Sequence, residues 1–115
     1  MRHGRLHEGI DISAPHGIPV HPALGGVVLR AGELAGYGNT VVIGHGASFA
    51  TVYAHLERIE VAEEIRVEFE TRLGTVGSTG RSFGAHLHFE VRFDGTAIDP
   101  LVFLKEADQT SVLAR

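Results

Sequence analysis

A chain of 115 residues supports one compact domain with a core of its own and not two. A net charge of −4, with 43% hydrophobic and 21% charged residues, fits a folded globular domain and leaves no basic face for nucleic acid. Cysteine is absent, which excludes disulfides and thiolate metal sites, and no apolar run is long enough to insert into a membrane. The opening stretch, MRHGRLHEGID, lacks an apolar signal core, so the chain is read as carrying no export signal of its own. Short β-branched or alternating runs then follow in order: GIDIS, IPVH, GGVVLRAG, NTVVIGHG, ATVYAHLERI, IRVEFE, RLGTVG and HLHFEVRF. Glycine-bearing turns (AGYGN, GHGAS, GSTGRSFG, FDGT) separate most of them, as hairpins require. The single helix signal is Asp99-Pro100-LVFLKEA, with Asp99 as N-cap and Pro100 in the first turn. It predicts a short C-terminal helix ahead of a polar tail over 105–115. No repeat or linker divides the chain, so residues 1–115 read as one antiparallel all-β domain with its core at about 7–104.

Alternation along strands selects the candidate site. Residues i and i+2 of a strand share a face. In HLHFEV this puts His86, His88 and Glu90 opposite Leu87, Phe89 and Val91. In HEGIDIS, Ile10 and Ile12 take the apolar face while His7, Gly9 and Asp11 take the other. In TVYAHLE the same rule sets Thr51, Tyr53 and His55 opposite Val52, Ala54 and Leu56. If the three polar faces converge, His7, Asp11, His55, His86 and His88 form one cluster. Imidazole and carboxylate without sulfur suit a catalytic Zn²⁺, which takes three protein ligands and keeps a position open. Five candidates exceed three, leaving two imidazoles for acid–base or electrostatic work; spacing alone does not say which two.

HxxxD near the start, YAHL and then HLHFEV resemble the LytM/lysostaphin-type zinc metallopeptidases that cut peptidoglycan peptides. The resemblance runs from His7 to about Leu104 and includes GIDISAPHGIPV, GVVLRAGELAGYGNTVVIGHG, GSTGRSFGAHLHFEVRFDG and the closing DPLVFL. It implies a sandwich or barrel-sandwich-like β fold described as a duplicated hybrid motif, with a groove over the metal. It also implies that His7, Asp11 and His88 are the zinc ligands, with His55 and His86 flanking the attacking water and the scissile carbonyl. The expected activity is that of a zinc endopeptidase acting on peptide cross-links or stem peptides of bacterial peptidoglycan, in the cell envelope. The expected form is a monomer that is the trimmed catalytic core of a longer protein. A rival expectation is a non-catalytic member that binds the wall or regulates a cell-wall amidase; retention of all five positions speaks against it. A barrel-sandwich carrier domain would need a modifiable lysine at a hairpin tip, and the only lysine, Lys105, lies in the terminal helix signal.

The remaining histidines read more plainly. His3, His16 and His21 sit in loop-like stretches, and His45 closes a strand beside a turn, which suits a structural role. Tyr53 is left out of the site. Glu90 has two open readings, an outer residue orienting a ligand imidazole or a solvated strand carboxylate. GSTGRSFG lacks the Gly-Lys-Ser/Thr ending of a phosphate loop and reads as a flexible wall beside the groove. Two departures from the family pattern stand out. Glu64 and Glu70 occupy positions where turn glycines are expected, and only six residues precede His7.

Overall fold

The computed structural model describes residues 9–46, 49–80, 84–94 and, as backbone, 96–98. Among these residues nine strands make one antiparallel sheet: β1 (Ile10–Ser13), β2 (Pro19–Val20), β3 (Gly26–Leu34), β4 (Gly38–Gly44), β5 (Phe49–Ile59), β6 (Arg66–Val67), β7 (Gly74–Val76), β8 (His86–Phe93) and β9 (Thr96–Ile98). The main path runs β1-β8-β5-β4-β3-β6, while β7 joins β2 to β5 and β9 joins β8. Every expected strand is present, and no helix occurs among the described residues. The helix signal at Asp99 and the tail lie outside them. IRVEFE is strand only at Arg66–Val67, because the chain turns again at Phe69 and Glu70.

β-branched and aromatic side chains from both branches of the sheet meet in a single core. Val28, Val41, Ile43, Leu56, Val67, Leu73 and Val91 are fully buried, with Val20, Tyr53, Val76 and Phe89 nearly so. Val20 of β2 and Val76 of β7 thus share the core of the main path, as the expected antiparallel all-β fold requires.

β5 is the hub. One edge pairs with β4 along most of its length, while the other pairs with β8 as far as Ala54 and with β7 from Leu56 onward. Between these two partners stands His55, in the left-handed region at φ 62. Its register with β4 jumps there: Tyr53 pairs with Val41 and Leu56 with Asn39, so Ala54 and His55 together face the single residue Thr40. This is a β-bulge, which lets one strand turn two consecutive residues to one side.

The bulge corrects the alternation expected for β5. Tyr53 pairs with Phe89 and points into the core, while Ala54 pairs with His88 on the site face. His55 joins Ala54 on that face, and Leu56 returns to the core beside Tyr53. His55 thus reaches the site by a break in the strand pattern rather than by continuing it.

Candidate active site

Registers of β1 and β8 bring the predicted groups together. Asp11 pairs with His88 and Ser13 with His86, so alternation holds on both strands and the carboxylate lies beside the two imidazoles. Asp11 Oδ1 is 2.8 Å from His88 Nδ1 and 3.6 Å from His86 Nε2. From β5, the His55 ring lies 4.8 Å from that of His86 and 6.0 Å from that of His88, centroid to centroid. Four of the five predicted residues therefore form one cluster. The fifth, His7, lies outside the described residues.

Glycine at position 9 makes the approach of β1 possible. A Cβ there would stand 2.8 Å from Cε1 of His88 and 2.8 Å from Cγ of Glu90, so any side chain would push into the cluster.

Hydrogen bonds to groups that can only accept fix the tautomers of two histidines. Nδ1 of His55 donates to the Thr79 carbonyl at 2.6 Å, and Nδ1 of His86 donates to the Gly84 carbonyl at 2.9 Å. In their neutral forms both rings keep Nε2 as the basic nitrogen. His88 is arranged the other way round. Its Nε2 meets Glu90 Oε2 at 2.9 Å and its Nδ1 meets Asp11.

Their electrostatics differ accordingly. Burial pushes the pKa of His55 down, only partly offset by the Thr79 carbonyl, so the neutral base is favoured. Burial also opposes charge on His88, but the bonds from Glu90 and Asp11 outweigh it and the net shift is upward. A ring between two carboxylates is a site that attracts a cation, whether a proton or a metal.

Glu90 is completely buried, which overturns its reading as a solvated strand carboxylate. Tyr37 donates its hydroxyl to Oε2 at 2.6 Å, and Arg92 donates Nε to Oε1 at 2.8 Å. Burial raises the Glu90 pKa, but these bonds together with His88 bring it below the ordinary carboxylate value. Sequence reasoning missed Tyr37 and Arg92. The available signal was a tyrosine bracketed by Gly36 and Gly38, both at positive φ, which lifts its ring out of the hairpin tip toward β8.

The bulge that presents His55 is clamped by residues the sequence did not flag. The Thr79 hydroxyl donates to the Leu56 carbonyl at 2.7 Å and accepts from the Asn39 backbone N–H at 3.1 Å. The Asn39 amide donates to the carbonyls of Leu56 and Glu57. Of the histidines assigned no catalytic part, His16 and His21 make exposed bonds to Ser78 and Thr71, and His45 is tied to Gly25 and Thr51 away from the cluster. His3 lies outside the described residues.

Zinc fits the part of the donor set that is visible. Asp11 Oδ1 and His88 Nδ1 converge, both are hard or borderline donors, and the remaining nitrogen of His88 is already held by Glu90. Among the described residues no group of three His, Cys, Asp or Glu closes around one point, so a zinc site here would need a further ligand beyond Asp11 and His88.

The description Peptidase family M23 matches residues 5–100. The chain belongs to peptidase family M23. The DD-carboxypeptidase/endopeptidase Mpg of Neisseria meningitidis serogroup B is 46% identical over 97 residues, which cover 84% of this chain and 22% of Mpg. The murein hydrolase activator NlpD of Salmonella dublin is 37% identical over 101 residues, covering 87% of this M23 chain and 26% of NlpD. The catalytic domain of the antimicrobial peptidase lysostaphin from Staphylococcus simulans superposes with a TM-score of 0.79 at 32% identity, covering 86% of this chain and 79% of that domain. The chain thus spans about a quarter or less of the two curated relatives, 22% and 26%, and most of the lysostaphin domain.

Proposed function

We propose that this M23 domain is a zinc endopeptidase that hydrolyses peptide bonds of bacterial peptidoglycan in the cell envelope. The observation that carries the reading is the cluster itself: Asp11 and His88 in contact, with two further imidazoles packed against them and their basic nitrogens set by backbone carbonyls. The names of Mpg and of lysostaphin, both peptidases, support it.

In this reading His7, Asp11 and His88 hold the metal. Zinc so bound would supply Lewis-acid polarisation of the scissile carbonyl and acidify a water. His55, neutral and with Nε2 unprotonated, accepts the proton of the attacking water. His86, with Nδ1 held by Gly84 and Nε2 facing Asp11, stabilises the oxyanion in its imidazolium form by donating from Nε2 as the carbonyl carbon becomes tetrahedral, and the proton gathered by His55 passes to the leaving amine. Thr79 and Gly84 keep their carbonyls on the Nδ1 atoms, so neither ring can rotate its basic nitrogen away without losing a hydrogen bond.

NlpD, named a murein hydrolase activator, favours a second reading in which the domain activates a separate cell-wall amidase without cutting anything itself. The retained Asp11, His55, His86 and His88 argue for the enzyme, since an activator has no use for a set of tautomer-fixed bases. Mass spectrometry of the products from two purified peptidoglycans, one with glycine cross-bridges and one with direct stem-peptide cross-links, decides between them. Zinc-dependent release of peptide fragments that stops with chelator supports the endopeptidase. No product from either wall, with amidase activity rising when the domain is added to an amidase, supports the activator.

A further inference from the structure

Glu90 is the most deeply buried charge in the described structure, and the proposed proton and metal chemistry does not use it directly. Its two oxygens are divided between different partners. Oε1 faces Arg92, whose Nη2 also reaches it at 2.6 Å, and Oε2 takes both His88 Nε2 and the Tyr37 hydroxyl. Arg92 further donates to the Tyr37 oxygen at 3.2 Å, so the phenol must send its own hydrogen to Glu90. The Tyr37 ring stands edge-on to His88 at 5.7 Å, and Gly9 leaves no side chain between β1 and the imidazole. The His88 ring is therefore held on several sides, with Glu90 the partner of its Nε2 among the described residues.

We propose that Glu90 is a positioning residue: fully buried, it keeps the Nε2 proton of His88, and so leaves Nδ1, the nitrogen bonded to the half-exposed Asp11, as the one that gives up its proton to take a metal cation. This rests on the reading of Asp11 and His88 as metal ligands. A residue that fixes the tautomer of a ligand histidine typically changes metal affinity by about 10–100-fold when altered. A carboxylate here also differs from a merely polar residue of the same shape. Arg92 has only donors, so the amide of a glutamine would turn its oxygen to Arg92 and its NH₂ to His88. Two donors cannot face one another. The imidazole would then have to move its proton to Nδ1, the nitrogen the cation needs.

The test uses the intact chain, Zn²⁺ as the probe and three proteins: wild type, E90Q and the double variant E90Q/R92M. Zinc affinity is measured by competition with a chromogenic chelator. The His88 tautomer is read in the metal-free proteins by nitrogen-detected NMR over a pH series, in the spectrum of the neutral ring at its alkaline end. The expected result is the Nε2–H form in wild type, and in E90Q the Nδ1–H form with zinc held about 10–100-fold more weakly. With the guanidinium gone, the glutamine of E90Q/R92M can turn its oxygen to His88, and affinity recovers toward wild type. An E90Q protein that keeps the Nε2–H form and the wild-type zinc affinity overturns the role given to Glu90. If E90Q does not fold, the wild-type spectrum alone decides: Nε2–H supports the proposal and Nδ1–H overturns it. A wild-type chain that binds no zinc, yet shows the Nε2–H form, overturns the metal site and leaves the orientation by Glu90 standing.

Discussion

His88, buried on β8, and His45, half-buried just past the end of β4, both have their two ring nitrogens hydrogen-bonded, yet they do opposite things. His88 lies between two carboxylates, Asp11 and Glu90. His45 donates Nδ1 to the Gly25 carbonyl at 2.8 Å and meets the Thr51 hydroxyl with Nε2 at 2.8 Å. Because Nδ1 carries the proton, Nε2 must accept. Thr51 then accepts from Tyr53 at 2.8 Å, and the Tyr53 oxygen accepts from the Ala23 N–H at 2.8 Å. The result is a directed chain with no net charge, which requires His45 to stay neutral. Burial lowers the pKa of His45, opposed by the Gly25 carbonyl, whereas the carboxylates around His88 overcome the same burial and raise it. Burial does not make a histidine a ligand. The charge of its two partners decides whether it is a structural peg or a cation site.

His86 sharpens the contrast, since it lies on the same strand face as His88 but anchors Nδ1 on a carbonyl, as His45 does. Replacing His86 with Ala is expected to leave zinc bound and to lower peptidoglycan turnover by about 10²–10⁴-fold, the range for an acid–base or oxyanion group. Zinc content and hydrolysis rate measured on the same preparation check it; loss of the metal would make His86 a ligand and erase the distinction.

On the His45 side, Tyr53→Phe leaves the Ala23 N–H and the Thr51 hydroxyl each short of a partner in or near the core. Denaturant unfolding should show a loss of about 1–3 kcal/mol with zinc affinity unchanged. Tyr53 itself stays protonated throughout the working range, because burial pushes its pKa up to about 12. A variant as stable as wild type would mean that the chain of hydrogen bonds is not a unit.

pH separates the two histidines by sign. A lowered folded pKa means that His45 contributes fully above its unfolded value, 6.5, and loses that contribution as pH falls through 6.5 toward the folded value. The raised pKa of His88 works in the opposite direction. Its bonded cationic form stabilises the metal-free protein below 6.5, and this is lost as pH rises through the higher folded value. Unfolding free energies of the metal-free chain measured below pH 6.5 should fall less steeply in His45→Gln than in wild type. Equal slopes would remove His45 as the source.

The smallest effect concerns Glu64, which stands where a glycine was expected and does take the left-handed backbone, at φ 72. A non-glycine residue pays there in sterics and a glycine pays in chain entropy, so E64G should gain only about 0.5–1 kcal/mol in thermal or denaturant unfolding. A loss instead would point to a contact of the Glu64 side chain that matters more than its backbone.

Where strand alternation was unbroken, the sequence was enough. Ile10 through Ser13 and His86 through Glu90 each face as their period of two requires, and once β1 pairs with β8 that brings Asp11, His86 and His88 together. His55 was named for the site, but its strand parity was misread. One residue in the left-handed region shifts the register of everything after it, and His55 carries no glycine-like mark of that conformation. Tyr37 and Arg92 were illegible for a different reason. Their importance comes from a buried carboxylate 53 residues from Tyr37 in the chain, and the glycines beside Tyr37 mark a hairpin tip without naming that partner. Thr79 and Asn39 belong to the same class, acting through backbone carbonyls that any residue could carry.

The most direct test of the account is the zinc content of three purified proteins, wild type, His88→Ala and His45→Ala, loaded with Zn²⁺ and freed of excess by gel filtration. The account predicts about one zinc per chain in wild type and in His45→Ala, and essentially none in His88→Ala, because a three-ligand site would be reduced to two. Zinc retained by His88→Ala at the wild-type level, or lost equally from His45→Ala, would contradict it.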